Sequence, residues 1–103
     1  MLERQEVTVG DLSLSIEEYT ATSNGKTLIL TPTETAILKL LMESRGRIVS
    51  TSQIAQAVWN GSSDGVRPNL VSVHLSNLRR KLGARLNFDK IVTFRNRGYM
   101  LTA

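Results

Sequence analysis

The chain has 103 residues, no cysteine, one histidine and a formal net charge of +4. This length suits one domain and leaves no room for two independent cores. Without cysteine the chain has no disulfide, thiolate metal site or cysteine nucleophile, and the lone His74 lacks the partners of a zinc site. No apolar run approaches the ~18 residues of a membrane span, and charged residues occupy the place of a signal-peptide core. We therefore expect one soluble, cytoplasmic domain (1–103) without metal or cofactor.

The positive charge is concentrated in the last third of the chain. Residues 1–66 contain five basic and eight acidic residues, which gives −3. Residues 67–103 contain eight basic residues and only Asp89 opposes them, which gives +7. Such a segment is the expected footprint of a protein that binds a polyanion, although a solvated basic surface without a partner would give the same balance.

The first thirty residues predict a small antiparallel sheet. Val7–Val9 and Leu12–Ile16 alternate apolar and polar residues with the period of two expected for half-buried strands. Glu18–Thr22 and Lys26–Leu30 flank Ser23-Asn-Gly25, and Asn-Gly supplies the positive φ values of a type I′ turn. These two segments should therefore form a hairpin, which makes the sheet four-stranded.

Two capping boxes predict the next two helices. Thr31-Pro-Thr-Glu34 opens the first, and Gly46 can end it in the left-handed conformation. Ser50-Thr-Ser-Gln53 opens a shorter second helix, which places Ile54, Ala55, Val58 and Trp59 inward. Asn60–Gly65 is then a polar loop rich in glycine and serine.

A third helix and a basic hairpin complete the chain. Pro68 starts a helix that runs to about Leu82, with Val71, Leu75, Leu78 and Leu82 on its buried side and no acidic residue on the remaining surface. Ile91–Phe94 and Tyr99–Leu101 flank the basic tip Arg95-Asn-Arg-Gly98. The predicted fold is α+β: a four-stranded sheet, three helices and a C-terminal hairpin, which is a helix-turn-helix variant with a wing. A major-groove helix needs short polar side chains that reach base edges, and wing arginines would meet phosphates or the minor groove.

Several segments, in the right order, resemble the OmpR/PhoB-type effector domain of bacterial two-component response regulators. They are Leu30-Thr-Pro-Thr-Glu34, Gly46-Arg-Ile-Val-Ser50, Ala57-Val-Trp59, Val71-Ser-Val-His-Leu75, Leu78-Arg-Arg-Lys-Leu82 and Thr93-Phe-Arg-Asn-Arg-Gly-Tyr99. The resemblance implies a winged helix that controls transcription as the C-terminal part of a longer regulator. An upstream phosphorylated receiver would drive dimerisation on direct-repeat half-sites of double-stranded DNA, and the loop after Trp59 would face RNA polymerase or a neighbouring protomer. The isolated domain should be largely monomeric.

The resemblance also implies which residues contact DNA. With Arg67, which opens the basic third, the predicted DNA-binding residues are Asn69, Ser72, Val73, His74, Ser76, Asn77, Arg79 and Arg80 on the third helix and Thr93, Arg95, Asn96 and Arg97 on the wing. The sequence departs from the family where Ser72 replaces a frequent Asp and where Ser76 and Asn77 replace Arg in some members. These changes suggest fewer phosphate contacts.

Some of these residues also fit purely structural roles. Arg79-Arg-Lys81 should lie in the last turn of its helix, where cations complement the helix dipole whatever the function. Trp59 should mainly pack in the core or loop, Tyr99 should support the wing, and Gly98 should supply backbone conformation. Two other functions stay open: a winged helix used only for contact with proteins, and a hydrolase or transferase. The second lacks a triad, metal cluster or phosphate loop, so we expect no catalytic residue.

Overall fold

A four-stranded antiparallel sheet forms the N-terminal part of the chain. In the computed structural model, which describes residues 5–59 and 68–102, the strands pair in chain order. They are β1 (Glu6–Val9), β2 (Leu12–Ser15), β3 (Thr20–Ser23) and β4 (Lys26–Ile29). Leu12 and Leu14 are buried whereas the serines that follow them are half-buried. This alternation gives the sheet one face for the core and confirms the predicted period of two.

Asn24 and Gly25 form the two-residue turn between β3 and β4. Their φ values are 52° and 80°, and Ser23 pairs with Lys26, so the turn has the positive φ values of type I′. The predicted hairpin is confirmed, but its first strand begins at Thr20 and not at Glu18. The reason is Tyr19, whose φ of 55° breaks the extended conformation before the strand.

Helix α1 (Pro32–Glu43) has the predicted capping box. Thr31 Oγ1 accepts from Glu34 N–H at 3.1 Å, and Glu34 Oε1 accepts from Thr31 N–H at 2.9 Å. The predicted end at Gly46 was wrong, because the helix ends at Glu43 and Ser44 is its C-cap. Gly46 does have a left-handed φ of 80°, but it lies beyond the cap and its N–H donates to the Leu101 carbonyl at 2.9 Å.

Helix α2 (Thr51–Trp59) begins with the second capping box. Ser50 Oγ accepts from Gln53 N–H at 3.0 Å, and Gln53 Oε1 accepts from Ser50 N–H at 2.8 Å. Ile54 and Ala55 are buried as predicted. Val58 and Trp59 are only half-buried and pack on the edge of the core.

Helix α3 (Pro68–Leu86) is longer than predicted. The prediction ended the helix near Leu82, but the helix continues through Gly83, although a glycine inside a helix costs about 1 kcal/mol relative to alanine. Leu86 continues the buried stripe by one more turn and is only 4% exposed. Burying a leucine contributes about 1.5–3 kcal/mol, which offsets the glycine.

The C-terminal hairpin is joined to the chain that precedes α2. Strands β5 (Ile91–Phe94) and β6 (Gly98–Leu101) pair so that Phe94 lies opposite Gly98. Val49 N–H donates to the Tyr99 carbonyl at 2.8 Å, and Tyr99 N–H donates to the Val49 carbonyl at 2.9 Å. The hairpin is thereby held against the start of α2.

One apolar core joins the sheet, the helices and the base of the hairpin. Helix α1 packs on β1, β2, α2, α3 and β6, and α3 packs on β4 and α2. The fully buried large side chains of this core are Leu12, Leu14, Ile37, Leu38, Leu41, Ile54, Val71, Leu75, Leu78, Leu82 and Leu101. The predicted α+β fold, with its sheet, three helices and terminal hairpin, is confirmed.

Within residues 5–59 and 68–102, no helix is long and apolar enough to cross a membrane. The same residues contain no cluster of histidine and carboxylate side chains that could hold a metal ion.

Candidate nucleic-acid interface

The surface of α3 opposite the core carries short polar and apolar side chains. Val71, Leu75, Leu78 and Leu82 are buried as predicted. Ser72, Ser76, Arg79 and Arg80 are exposed, and Val73 is 54% exposed although it is apolar. The helix has no acidic residue. This face can therefore approach a polyanion without repulsion from the helix that carries it.

Arg79 connects α3 to the hairpin. Its Nη1 donates to Thr93 Oγ1 on β5 at 2.8 Å. Because the hydroxyl is neutral, this hydrogen bond positions the Arg79 guanidinium but does not neutralise its positive charge. It also fixes the α3 surface and the hairpin, which is the predicted wing, on the same side of the domain.

Arg80 and Asn77 form a second polar pair on α3. Arg80 Nη2 donates to Asn77 Oδ1 at 3.1 Å. Residues three apart on a helix are surface neighbours, so the pair forms without distorting the helix. Asn77 is half-buried and Arg80 is exposed. The amide is thus held by the arginine at the edge of the polar face.

His74 contacts Trp59 at the end of α2. The ring centroids are 5.6 Å apart and the planes are inclined by 48°, which is within the range of favourable aromatic pairs. Both side chains are half-buried. His74 therefore supports the packing of α2 on α3 as well as lying on the predicted DNA-binding helix.

The wing tip is short and basic. Arg95, Asn96 and Arg97 form the loop between β5 and β6 and are exposed, as is Thr93 at its base. Asn96 has a φ of 63°, a conformation that asparagine tolerates better than most residues. The tip borders an open groove of about 420 Å³.

The other wall of this groove is formed by Ser50, Thr51 and Ser52 at the start of α2. Sequence reasoning assigned Ser50 to a cap and did not connect these hydroxyls with the wing. The connection comes from the backbone pairing of Val49 with Tyr99, residues that are far apart in the chain. The capping box predicted where α2 starts but not what lies beside it.

Lys81 differs from Arg79 and Arg80 in the direction of its side chain. Its ammonium lies 2.8 Å from Glu34 Oε1 at the start of α1, so it faces into the domain. The prediction that Arg79-Arg-Lys81 lie in the last turn of their helix was wrong, because α3 continues to Leu86 and Arg85 is the basic residue of that turn. The helix dipole therefore does not account for the arginine pair, since its effect is confined to the last turn.

The predicted DNA-binding residues that the structure describes lie on α3 and on the wing, and the Arg79–Thr93 hydrogen bond joins these two elements. Arg67 lies outside the described residues, as does the loop predicted to face RNA polymerase, and the side chain of Asn69 is not described.

Comparison with known proteins decides the family. The family described as "Transcriptional regulatory protein, C terminal" matches residues 25–101. The chain belongs to this family. The predicted resemblance to response-regulator effector domains is confirmed, and so is transcription regulation as the class of function. Because the family is one of transcriptional regulators, the domain is not an enzyme.

Individual proteins are similar to this chain in sequence or in fold. The response regulator protein PmrA of Pseudomonas aeruginosa is 39% identical over 90 residues, which cover 87% of this chain and 38% of PmrA. The DNA-binding domain of CpxR from E. coli is 33% identical with a TM-score of 0.77, over 96% of this chain and 97% of that domain. The DNA-binding domain of E. coli CadC is 26% identical with a TM-score of 0.83, over 98% of this chain and 95% of that domain. The chain thus spans well under half the length of PmrA.

Proposed function

We propose that this domain binds double-stranded DNA sequence-specifically to regulate transcription, with α3 in the major groove and the wing on the minor groove or backbone. The observation that carries the proposal is the Arg79–Thr93 hydrogen bond. It holds an acid-free helix face and a basic loop on one side of the domain, so that both can meet one duplex. The family and the DNA-binding domain of CpxR support this reading.

The dimensions of the two elements suit a duplex. An α-helix with its side chains is about 10–12 Å wide, and the major groove of B-DNA is about 12 Å wide. Exposed Ser72, Val73 and Ser76 are short enough for the helix to lie deep in that groove. Arg95 and Arg97 are long cations on a narrow loop, which suits phosphates or a narrow minor groove.

The remaining predictions concern the protein in which this domain acts. We infer that the chain is one folded domain and the C-terminal part of a longer cytoplasmic response regulator, as its 38% coverage of PmrA suggests. A phosphorylated receiver in that protein would pair two copies on direct-repeat half-sites. The segment between α2 and α3 would then face RNA polymerase or the neighbouring copy.

Selection of bound duplexes from a random library, followed by titration at several salt concentrations, tests the proposal. We expect one enriched sequence and a slope of log K against log salt of about −0.9 for each phosphate contacted. A binding constant that does not change with salt would contradict the electrostatic part. If no sequence is enriched, sequence-specific binding is contradicted, and the alternative of a winged helix used only for contact with proteins is favoured.

Two variants separate base reading from backbone contact. Asn77→Ala should cost about 1–3 kcal/mol at one base position and relax the preference there. Arg95→Ala should weaken binding to all sequences equally and reduce the salt slope by about 1. If the two variants exchange these effects, the roles of α3 and the wing are reversed.

A further inference from the structure

The pairing of Arg80 with Asn77 restricts what the asparagine can recognise. A guanidinium has only donors, so only the carbonyl oxygen of the Asn77 amide can face Arg80 Nη2, 3.1 Å away. The chemistry of the contact therefore sets the orientation of the amide. Its NH₂ group is left as the free end, and it can only donate.

This orientation disfavours adenine. Asparagine reads adenine with two bonds, in which its oxygen accepts from the N6 amino group and its nitrogen donates to N7. Here the oxygen already accepts from a cation. The oxygen has a second lone pair, but the positive charge of the guanidinium beside it would repel the partly positive N6 amino group of adenine.

Guanine fits the same pair. Its major-groove edge presents two acceptors, N7 and O6. We propose that Asn77 and Arg80 act as one donor-only unit that selects guanine, with Asn77 Nδ2 donating to one acceptor and Arg80 donating to the other. This inference rests on the proposed binding of α3 in the major groove.

The neighbouring side chains do not supply the same preference. Val73 lies one turn before Asn77 and has no donor, so it favours apolar contact such as a thymine methyl group. The hydroxyl of Ser76 both donates and accepts and fits either type of base edge. Arg79 is directed to Thr93 on the wing. A preference for guanine that depends on residue 77 is therefore a signature of the Asn77–Arg80 pair.

Selection from a random DNA library with the 103-residue chain and three variants tests this assignment. Asn77→Ala identifies the base position read by residue 77, where the unmodified chain should favour guanine over adenine by about 5- to 150-fold. Arg80→Ala should change the preference at that position from guanine to adenine, because it frees Asn77 Oδ1. Arg85→Ala is the control. It removes the same charge from the last turn of the same helix and should leave the preference for guanine unchanged.

Arg80 is exposed, so its replacement should not unfold the domain. If Arg80→Ala binds too weakly for selection, its affinities for the guanine and adenine duplexes are compared at low salt, where attraction to phosphates is stronger.

The assignment is overturned if the unmodified chain selects adenine at this position, if Asn77→Ala leaves the degree of preference for guanine unchanged, or if guanine persists in Arg80→Ala. In those outcomes DNA binding itself stands. If no duplex is bound by the unmodified chain, the proposed function fails and this inference fails with it.

Discussion

Lys81 on α3 donates to Glu34 at the start of α1, with 2.8 Å between Nζ and Oε1. The same oxygen accepts from Thr31 N–H at 2.9 Å and so completes the capping box. The Glu34 side chain is only 4% exposed. One buried carboxylate thus caps α1 and fixes the helix that carries the predicted DNA contacts.

Lys81→Met should destabilise the domain by about 1–3 kcal/mol, because it leaves the buried Glu34 carboxylate without its cation. Lys39→Met is the control, since the Lys39–Glu43 pair is 3.4 Å long and both side chains are 40–50% exposed. Its loss should cost at most about 0.5 kcal/mol. Urea unfolding measures both values. If Lys81→Met costs as much in the Glu34→Gln background, where residue 34 is neutral, the ion pair is not the cause.

Gly98→Ala should destabilise the domain by about 2–5 kcal/mol, from backbone strain and overpacking together. Gly98 has a φ of 143°, and a Cβ there would collide with the Val49 carbonyl oxygen. Gly83→Ala is the opposite case, because a Cβ at this helical position meets nothing within 4 Å. That variant should gain about 0.5–1 kcal/mol. Thermal unfolding distinguishes the two, and a neutral Gly98→Ala would show that the wing can move away from Val49.

Thr93→Val should lower DNA affinity by about 2- to 12-fold, the loss of one ordinary hydrogen bond. The change keeps the shape of the side chain and removes the oxygen that holds Arg79. In an Arg79→Ala background the same change should have little effect. A loss of the same size in both backgrounds would mean that Thr93 contacts DNA directly. Thr22→Val, on the outer face of the sheet, serves as the control for removing a hydroxyl.

The domain alone should be monomeric and bind a single half-site weakly. One such module buries only ~600–1,000 Å² on DNA. Fusion to a dimerising domain should raise avidity on two half-sites by roughly 10²–10⁴, provided that the linker spans them. Sedimentation of the isolated domain and titration of both forms on one and two half-sites check this. A tight dimer in solution, or no gain on two sites, would contradict it.

Local signals explain why much of the fold was predictable. The Asn24-Gly25 turn and both capping boxes depend on residues within four positions of one another, and each formed as expected. The end of α3 was missed because its last turn depends on the burial of Leu86, and that burial depends on the rest of the core. Tertiary packing of Leu86 thus outweighs the low helix propensity of Gly83.

The candidate site was predictable by residue type but not by partner. Apolar periodicity indicated which residues lie on α3 and the wing, and the family resemblance implied which of them contact DNA. The Glu34–Lys81 pair joins residues 47 positions apart, and the contact of Gly98 with Val49 depends on how the hairpin docks, so no short pattern encodes either. The Arg80–Asn77 pair has a helical spacing of three and could have been anticipated from the sequence.

The docking of β6 on Val49 also affects how the wing binds a ligand. It influences both the rate of association and the conformational entropy that the wing loses. Its strands are already held at the base by Arg79 and along one edge by Val49 and Tyr99. Within the wing, Arg95–Arg97 lie outside the paired strands, and fixing a backbone residue costs roughly 1–2 kcal/mol. A preorganised surface of this kind loses little freedom on association. If the domain binds DNA as proposed, engagement of the wing should then be governed by diffusion and charge, without a slow rearrangement of its two strands before the complex forms.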